Sequence, residues 1–159
     1  MDKTSASTPP GNLRFGSLVV TRRYRYIYQY ACYANEAATR YSIDYGDSWS
    51  AWEWINPPKG EDIEYRTTER FLGQPVYVQT IHIDNLGPAN QMQTKPITIN
   101  NKGYTIRYEF TTLATNVVIT PYITNLEIYN NQIKYAHNSE YLGGKTIDTY
   151  VTIYYTKQS

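Results

Sequence analysis

Few side chains in this chain are suited to acid, base, nucleophilic or metal chemistry. It has two histidines, His82 and His137, and one cysteine, Cys32. His82 lies between Ile81 and Ile83 in a strand-like run, on the face opposite that pair, and His137 sits in a turn-like context. A metal cage needs further His, Cys or carboxylate ligands at matching spacing, and none is evident. Both histidines therefore read as surface or hydrogen-bonded residues, and no metal or cofactor is expected. Cys32 has no partner motif in its aromatic surroundings and reads as a small buried hydrophobe rather than a catalytic thiol. The sequence carries no G-x-S-x-G, P-loop or H-E-x-x-H motif. Asp44, Asp47 and Glu53 surround Trp49-Ser50-Ala51-Trp52, where a sugar ring could stack. Two carboxyl groups roughly 5–9 Å apart would suffice there for glycoside hydrolysis. The simpler reading makes Asp47 a turn former after Gly46, and no catalytic residue is assigned.

Binding is the stronger theme. Tyr accounts for 18 of the 159 residues, against 3 Phe and 3 Trp. Tyr buries a ring but keeps a polar tip that wants a partner or water, so an excess of it suits half-buried and contact positions. Tyr24, Tyr26, Tyr28 and Tyr30 recur at every second residue, which would place the four rings on one strand face. Arg22-Arg23-Tyr24-Arg25-Tyr26 mixes basic and aromatic residues as single-strand nucleic-acid binders do. A net charge of +1 gives no matching field, so this run reads as an edge or intersubunit strand with Arg stacked on Tyr. Tyr122, Tyr129, Tyr135 and Tyr141 fall at strand ends or near turns and are candidate rigid contacts to a saccharide or protein receptor.

The elements that must position these residues are strands. Residues 1–17 read as a flexible arm, rich in Ser, Thr, Pro and Gly; residues 1–12, polar and without an apolar stretch, are not expected to be a signal peptide. No run approaches the roughly 18 apolar residues of a membrane helix, and no membrane insertion is expected. From Leu18 the pattern is β, with 18–33 and 39–45 as strand runs and 33–40 as one possible helical turn. Asn56-Pro57-Pro58-Lys59-Gly60 breaks the chain. It separates a small β module at 18–56 from a larger one at 61–157. In the larger one Pro75 suits a strand start, and Gly73 allows a bend or a close approach. Asn130-Asn131 reads as a two-residue hairpin turn. Val151, Ile153 and Tyr155 alternate with Tyr150, Thr152 and Tyr154, the apolar set facing the core. Short strands with turn signals every ~8–12 residues predict an all-β, antiparallel β-sandwich.

Two segments add a resemblance. Arg40-Tyr41, Gly46, Trp49-Ser50-Ala51-Trp52 and Ile55 resemble the C-terminal part of the pyocin-knob modules of phage tail fibres, over about residues 22–55. Glu69 to Thr80, with Gly73, Pro75 and Tyr77, together with Tyr150 to Lys157, looks like the C-terminal β-sandwich of phage tail and receptor-binding proteins, over about 65–157. The resemblance implies a virion protein of a tail fibre or tail tip that recognises a host surface glycan or protein without catalysis. It also implies a homotrimer. Residues 1–17 would then dock the chain to other tail or capsid proteins, or the chain is the terminal piece of a longer assembly. A head fibre or capsid decoration protein is the alternative. Tyr41, Trp49, Trp52, Gly73, Pro75 and Tyr77 are then framework positions.

Overall fold

The computed structural model describes residues 8–85, 87–113, 123–129, 131–138 and 146–158. The chain divides into two compact units, one of residues 1–58 and 65–70, the other of 59–64 and 71–159. The short stretch 65–70 thus belongs with the first unit although it follows the Asn56–Gly60 break. No helix among the described residues is long and apolar enough to cross a membrane.

The first unit opens with a 3-10 turn, Gly11–Phe15, then β1 (Ser17–Arg23), β2 (Tyr26–Tyr33), β3 (Glu36–Ser42) and β4 (Glu53–Asn56). These pair antiparallel in chain order. β5 (Glu64–Phe71) then joins β4 in parallel, with Trp54 opposite Thr67. Three expectations are corrected here. The run 18–33 is two strands, because the chain reverses at Tyr24-Arg25, with Tyr24 at φ 56°. Tyr24 therefore leaves the row of Tyr26, Tyr28 and Tyr30. The segment 33–40 is a second hairpin turning at Ala34-Asn35, with Ala34 at φ 52°, and not a helical turn. The arm also ends earlier than residue 17: Leu13 is 2% exposed, and a Cβ on Gly16 would stand 1.9 Å from the carbonyl oxygen of Cys32. Only glycine permits that approach to β2.

The core of this unit is thin. Its buried apolar residues are Leu13, Ala31, Ala37, Ala38, Trp54 and Tyr65. Trp54 and Tyr65 meet edge-to-face at 5.4 Å, a favoured geometry for aromatic pairs. Charged groups supply much of the rest. Glu53, its side chain 8% exposed, accepts from Arg70 through both carboxylate oxygens at 2.7 and 2.6 Å and from Arg66 Nε at 2.9 Å. Two guanidinium groups on one carboxylate supply the hydrogen bonds whose loss burial would make costly.

The second unit is the sandwich. One sheet has β6 (Gln74–Asn85), β11 (Thr146–Lys157) and β8 (Lys102–Leu113), with β11 central and antiparallel to both neighbours. The other has β7 (Gln93–Pro96), β10 (Gln132–His137) and β9 (Ile123–Ile128), with β10 central. Ile81, Ile83, Val151, Ile153 and Tyr155 of the first sheet pack with Ile97, Ile99, Ile133 and Tyr135. Each such aliphatic side chain contributes about 1.5–3 kcal/mol on burial. Val151, Ile153 and Tyr155 are the core-facing set that their alternation predicts. β9 and β10 form a hairpin closed by Tyr129 N–H to the Gln132 carbonyl at 2.9 Å. Leu72 and Gly73 both have positive φ, 49° and 79°, the backbone of a tight primed turn. A Cβ on Gly73 would meet nothing within 4 Å, so its conformation, not a close approach, calls for glycine. Pro75 is the second residue of β6, and Tyr77 stacks on Tyr155 with centroids 6.1 Å apart.

Candidate functional site

Alternation along the β1-β2-β3 meander sorts its side chains onto two faces. Thr21, Tyr28 and Tyr41 lie in one cross-strand row, and Arg23 pairs with Tyr26 in the next. Paired residues share a face. Tyr26, Tyr28 and Tyr41 are 50, 46 and 48% exposed, and Ile43, two residues beyond Tyr41, is exposed beside them. These residues, with Arg22, Ile27 and Ser42, line an open hollow of about 370 Å³. Flat rings with hydroxyl tips, two isoleucines and two arginines make a surface that stacks and donates hydrogen bonds. That chemistry suits a sugar face or the amphipathic surface of a protein.

The opposite face and the following loop hold this surface in place. Arg40, cross-strand from Gln29, donates from Nε to Gln29 Oε1 at 2.7 Å. Its guanidinium stands 4.5 Å from the Trp49 ring and 4.6 Å from the Trp52 ring, and burial lowers its pKa. Between those tryptophans, Ser50 grips the backbone of Tyr41. Its N–H donates to the Tyr41 carbonyl at 2.9 Å, and its Oγ accepts the Tyr41 N–H at 3.0 Å. The Trp-Ser-Ala-Trp element thus fixes both Arg40 and the neighbouring Tyr41.

The loop between β3 and β4 is built on Asp44. Its carboxylate accepts from the Ser42 hydroxyl at 2.6 Å, from the Ser48 N–H at 3.0 Å and from the Ser48 hydroxyl. These bonds, the Ser42 hydroxyl first, hold its pKa down at about 2. Asp47 N–H closes the turn on the Asp44 carbonyl at 3.2 Å. The carboxylates of Asp44 and Glu53 therefore have structural tasks, one in the turn and the other on its arginines, while Asp47 closes the turn through its backbone N–H.

The sequence-predicted contacts fare unequally. Tyr122 and Tyr141 lie outside the described residues. Tyr129 is exposed, donates to Glu127 Oε2 at 3.0 Å and lies under Lys134 Nζ, 5.4 Å from its ring centroid. Tyr135 is corrected to a core residue, 3% exposed. Ile133, two residues earlier on the same strand face, is the signal that marks it as inward. The structure brings together Tyr26, Tyr28, Tyr41 and Ile43 instead, of which the Tyr-every-second-residue pattern pointed to the first two.

Among the other reactive groups, His82 stacks on Tyr150 at 4.7 Å and places Nδ1 2.9 Å from Asp84. His137 is fully buried, with Nε2 3.0 Å from the Gly87 carbonyl oxygen. Cys32 is half-buried and reduced. Among the described residues no group of three or more His, Cys, Asp or Glu is placed to hold a metal ion.

No family description matches the sequence, and no curated protein matches it. Among solved structures, a distant neighbour is the C-terminal part of the R1 pyocin fibre of P. aeruginosa, at 10% identity and a TM-score of 0.27. The match covers 89% of this chain and 57% of that one, so the chain spans little more than half the length of the fibre fragment.

Proposed function

We propose that this chain is a structural protein of a phage or phage-like particle that recognises a host cell-surface glycan or protein by non-covalent binding, at a tail fibre or tail tip. The observation that carries the reading is the exposed tyrosine face of β2 and β3, with Tyr26, Tyr28 and Tyr41 about half exposed in one hollow. The likeness of residues 22–55 and 65–157 to fibre modules supports it. Rigid aromatic rings give large contact area at low entropic cost, and truncating such anchors typically costs 2 kcal/mol or more. Purified protein should bind susceptible cells and block infection. Tyr28→Ser with Tyr41→Ser should weaken cell binding by roughly thirtyfold or more with the thermal midpoint and the mass in solution unchanged. Binding that survives the double substitution would remove the face from the reading.

One feature favours a purely structural role as a head fibre or capsid decoration protein. β1 is an edge strand exposed at all seven positions, with Leu18, Val19 and Val20 at 49, 52 and 53%. Such an edge is a template for pairing with another chain, including copies of this one in a homotrimer. A fall in solution mass in the tyrosine variant, with cell binding never detected, would favour that reading.

A further inference from the structure

The second unit holds a cavity that the proposed receptor face does not use. It measures about 430 Å³, within the roughly 300–1,000 Å³ of small-molecule sites. Asp62, Glu64, Gln79, Lys95, Pro96 and Asn100 are among its lining residues. Gln79 is the informative one. It stands on β6 opposite Ile153 of β11, in the alternating row that otherwise sends Tyr77, Ile81 and Ile83 toward the core. An apolar side chain is what packing asks for there, yet the residue is a glutamine only 5% exposed. Its Nε2 donates to the Asp62 carbonyl at 3.4 Å, and its Oε1 has no partner among the described residues. Turning the amide over would set oxygen against oxygen, so the free group is an acceptor. A buried acceptor without a partner costs stability, and polar residues that break a local packing rule mark functional places.

The charges define the ligand further. Glu64 is already engaged by Lys157 Nζ at 2.6 Å and by the Tyr155 hydroxyl. Asp62 and Lys95 are the remaining charges on the wall and oppose each other in sign. Lys157, which is not itself part of the lining, neutralises Glu64, and Asp62 and Lys95 offset each other, so the site favours neither an anion nor a cation. A neutral ligand rich in hydroxyl groups meets these demands. One hydroxyl donates to Gln79 Oε1, others exchange hydrogen bonds with Asp62 and Asn100, and a carbon face lies on Pro96. The geometry points to a binding site for a neutral saccharide unit in this cavity, with Gln79 as its buried acceptor.

Titration calorimetry of the full chain with D-glucose, D-galactose and N-acetyl-D-glucosamine tests this, with D-glucuronate and D-glucosamine as charged controls. At least one neutral sugar should bind saturably, and neither charged sugar should bind more tightly. Gln79→Met should weaken the neutral sugar about tenfold while unfolding at the same or a higher temperature. If Gln79→Met fails to fold, Asn100→Ala on the exposed rim should give a weakening of several fold. Equal affinity in the folded variant, tighter binding of a charged sugar, or no neutral sugar bound would each overturn the site. The tyrosine substitutions of the first unit should leave this binding unchanged, so the two sites fail or succeed separately.

Discussion

Two acidic residues beside the tryptophans carry different burdens, and substitution separates them. Glu53 is a nearly buried carboxylate shared by two arginines whose own side chains are 33 and 38% exposed. Removing one partner of a fully buried pair costs about 3–5 kcal/mol, and solvent around the guanidinium groups reduces that. Glu53→Gln should therefore destabilise the protein by about 2 kcal/mol, measured by urea unfolding. Asp44 is instead half-buried, and its effect appears in pH dependence. Its pKa falls from an ordinary 3.8 to about 2 in the folded protein. A depressed carboxylate contributes stability that is fully present above the unfolded pKa and is lost as pH falls through the folded one. The gap in thermal midpoint between the parent and Asp44→Asn should stay constant above about pH 5 and shrink between pH 4 and 2. A gap still unchanged at pH 2 would contradict the role given to Asp44.

Two glycines show how differently one residue type acts within an element. At Gly16 the Cβ of alanine would press into the Cys32 carbonyl and lie 2.8 Å from Tyr33 Cβ. The segment leading into β1 would have to move off β2, so Gly16→Ala should cost about 2 kcal/mol or more. Gly73→Ala meets no atom and pays only for its positive φ, about 1 kcal/mol. Paired denaturation curves check the order of the two. The same elements show what could be read beforehand. β11 alternates β-branched and aromatic residues over many positions, so its existence and inward face were legible, as was the existence of β6. The hairpins at Tyr24-Arg25 and Ala34-Asn35 were not, because the positive φ falls on Tyr and Ala where turn chemistry would place Gly or Asn. Tyr itself also conceals direction. Its amphipathic ring serves equally in the core, as Tyr135 and Tyr155 do, and on the surface, as Tyr28 and Tyr41 do. Gln79 was hidden for a related reason, since only the packed partner sheet shows that its row faces inward.

For the whole molecule, the N-terminal segment is a test of assembly that must be cut in the right place. Leu13 is buried in the first unit, so a deletion reaching residue 16 removes core together with any attachment. Deleting residues 2–7 should leave the thermal midpoint and cell binding intact and abolish incorporation into particles, whereas deleting 2–16 should also lower the midpoint. Normal incorporation of the shorter deletion would sink the docking role. The division into two units has a spectroscopic corollary as well. All three tryptophans, Trp49, Trp52 and Trp54, fall in the first unit, while the fluorescent side chains of the sandwich are tyrosine and phenylalanine. Indole emission is therefore a built-in reporter confined to one half of the chain. Compared with backbone dichroism, which senses both halves, it tells without any added dye whether the units melt as one cooperative block or in succession.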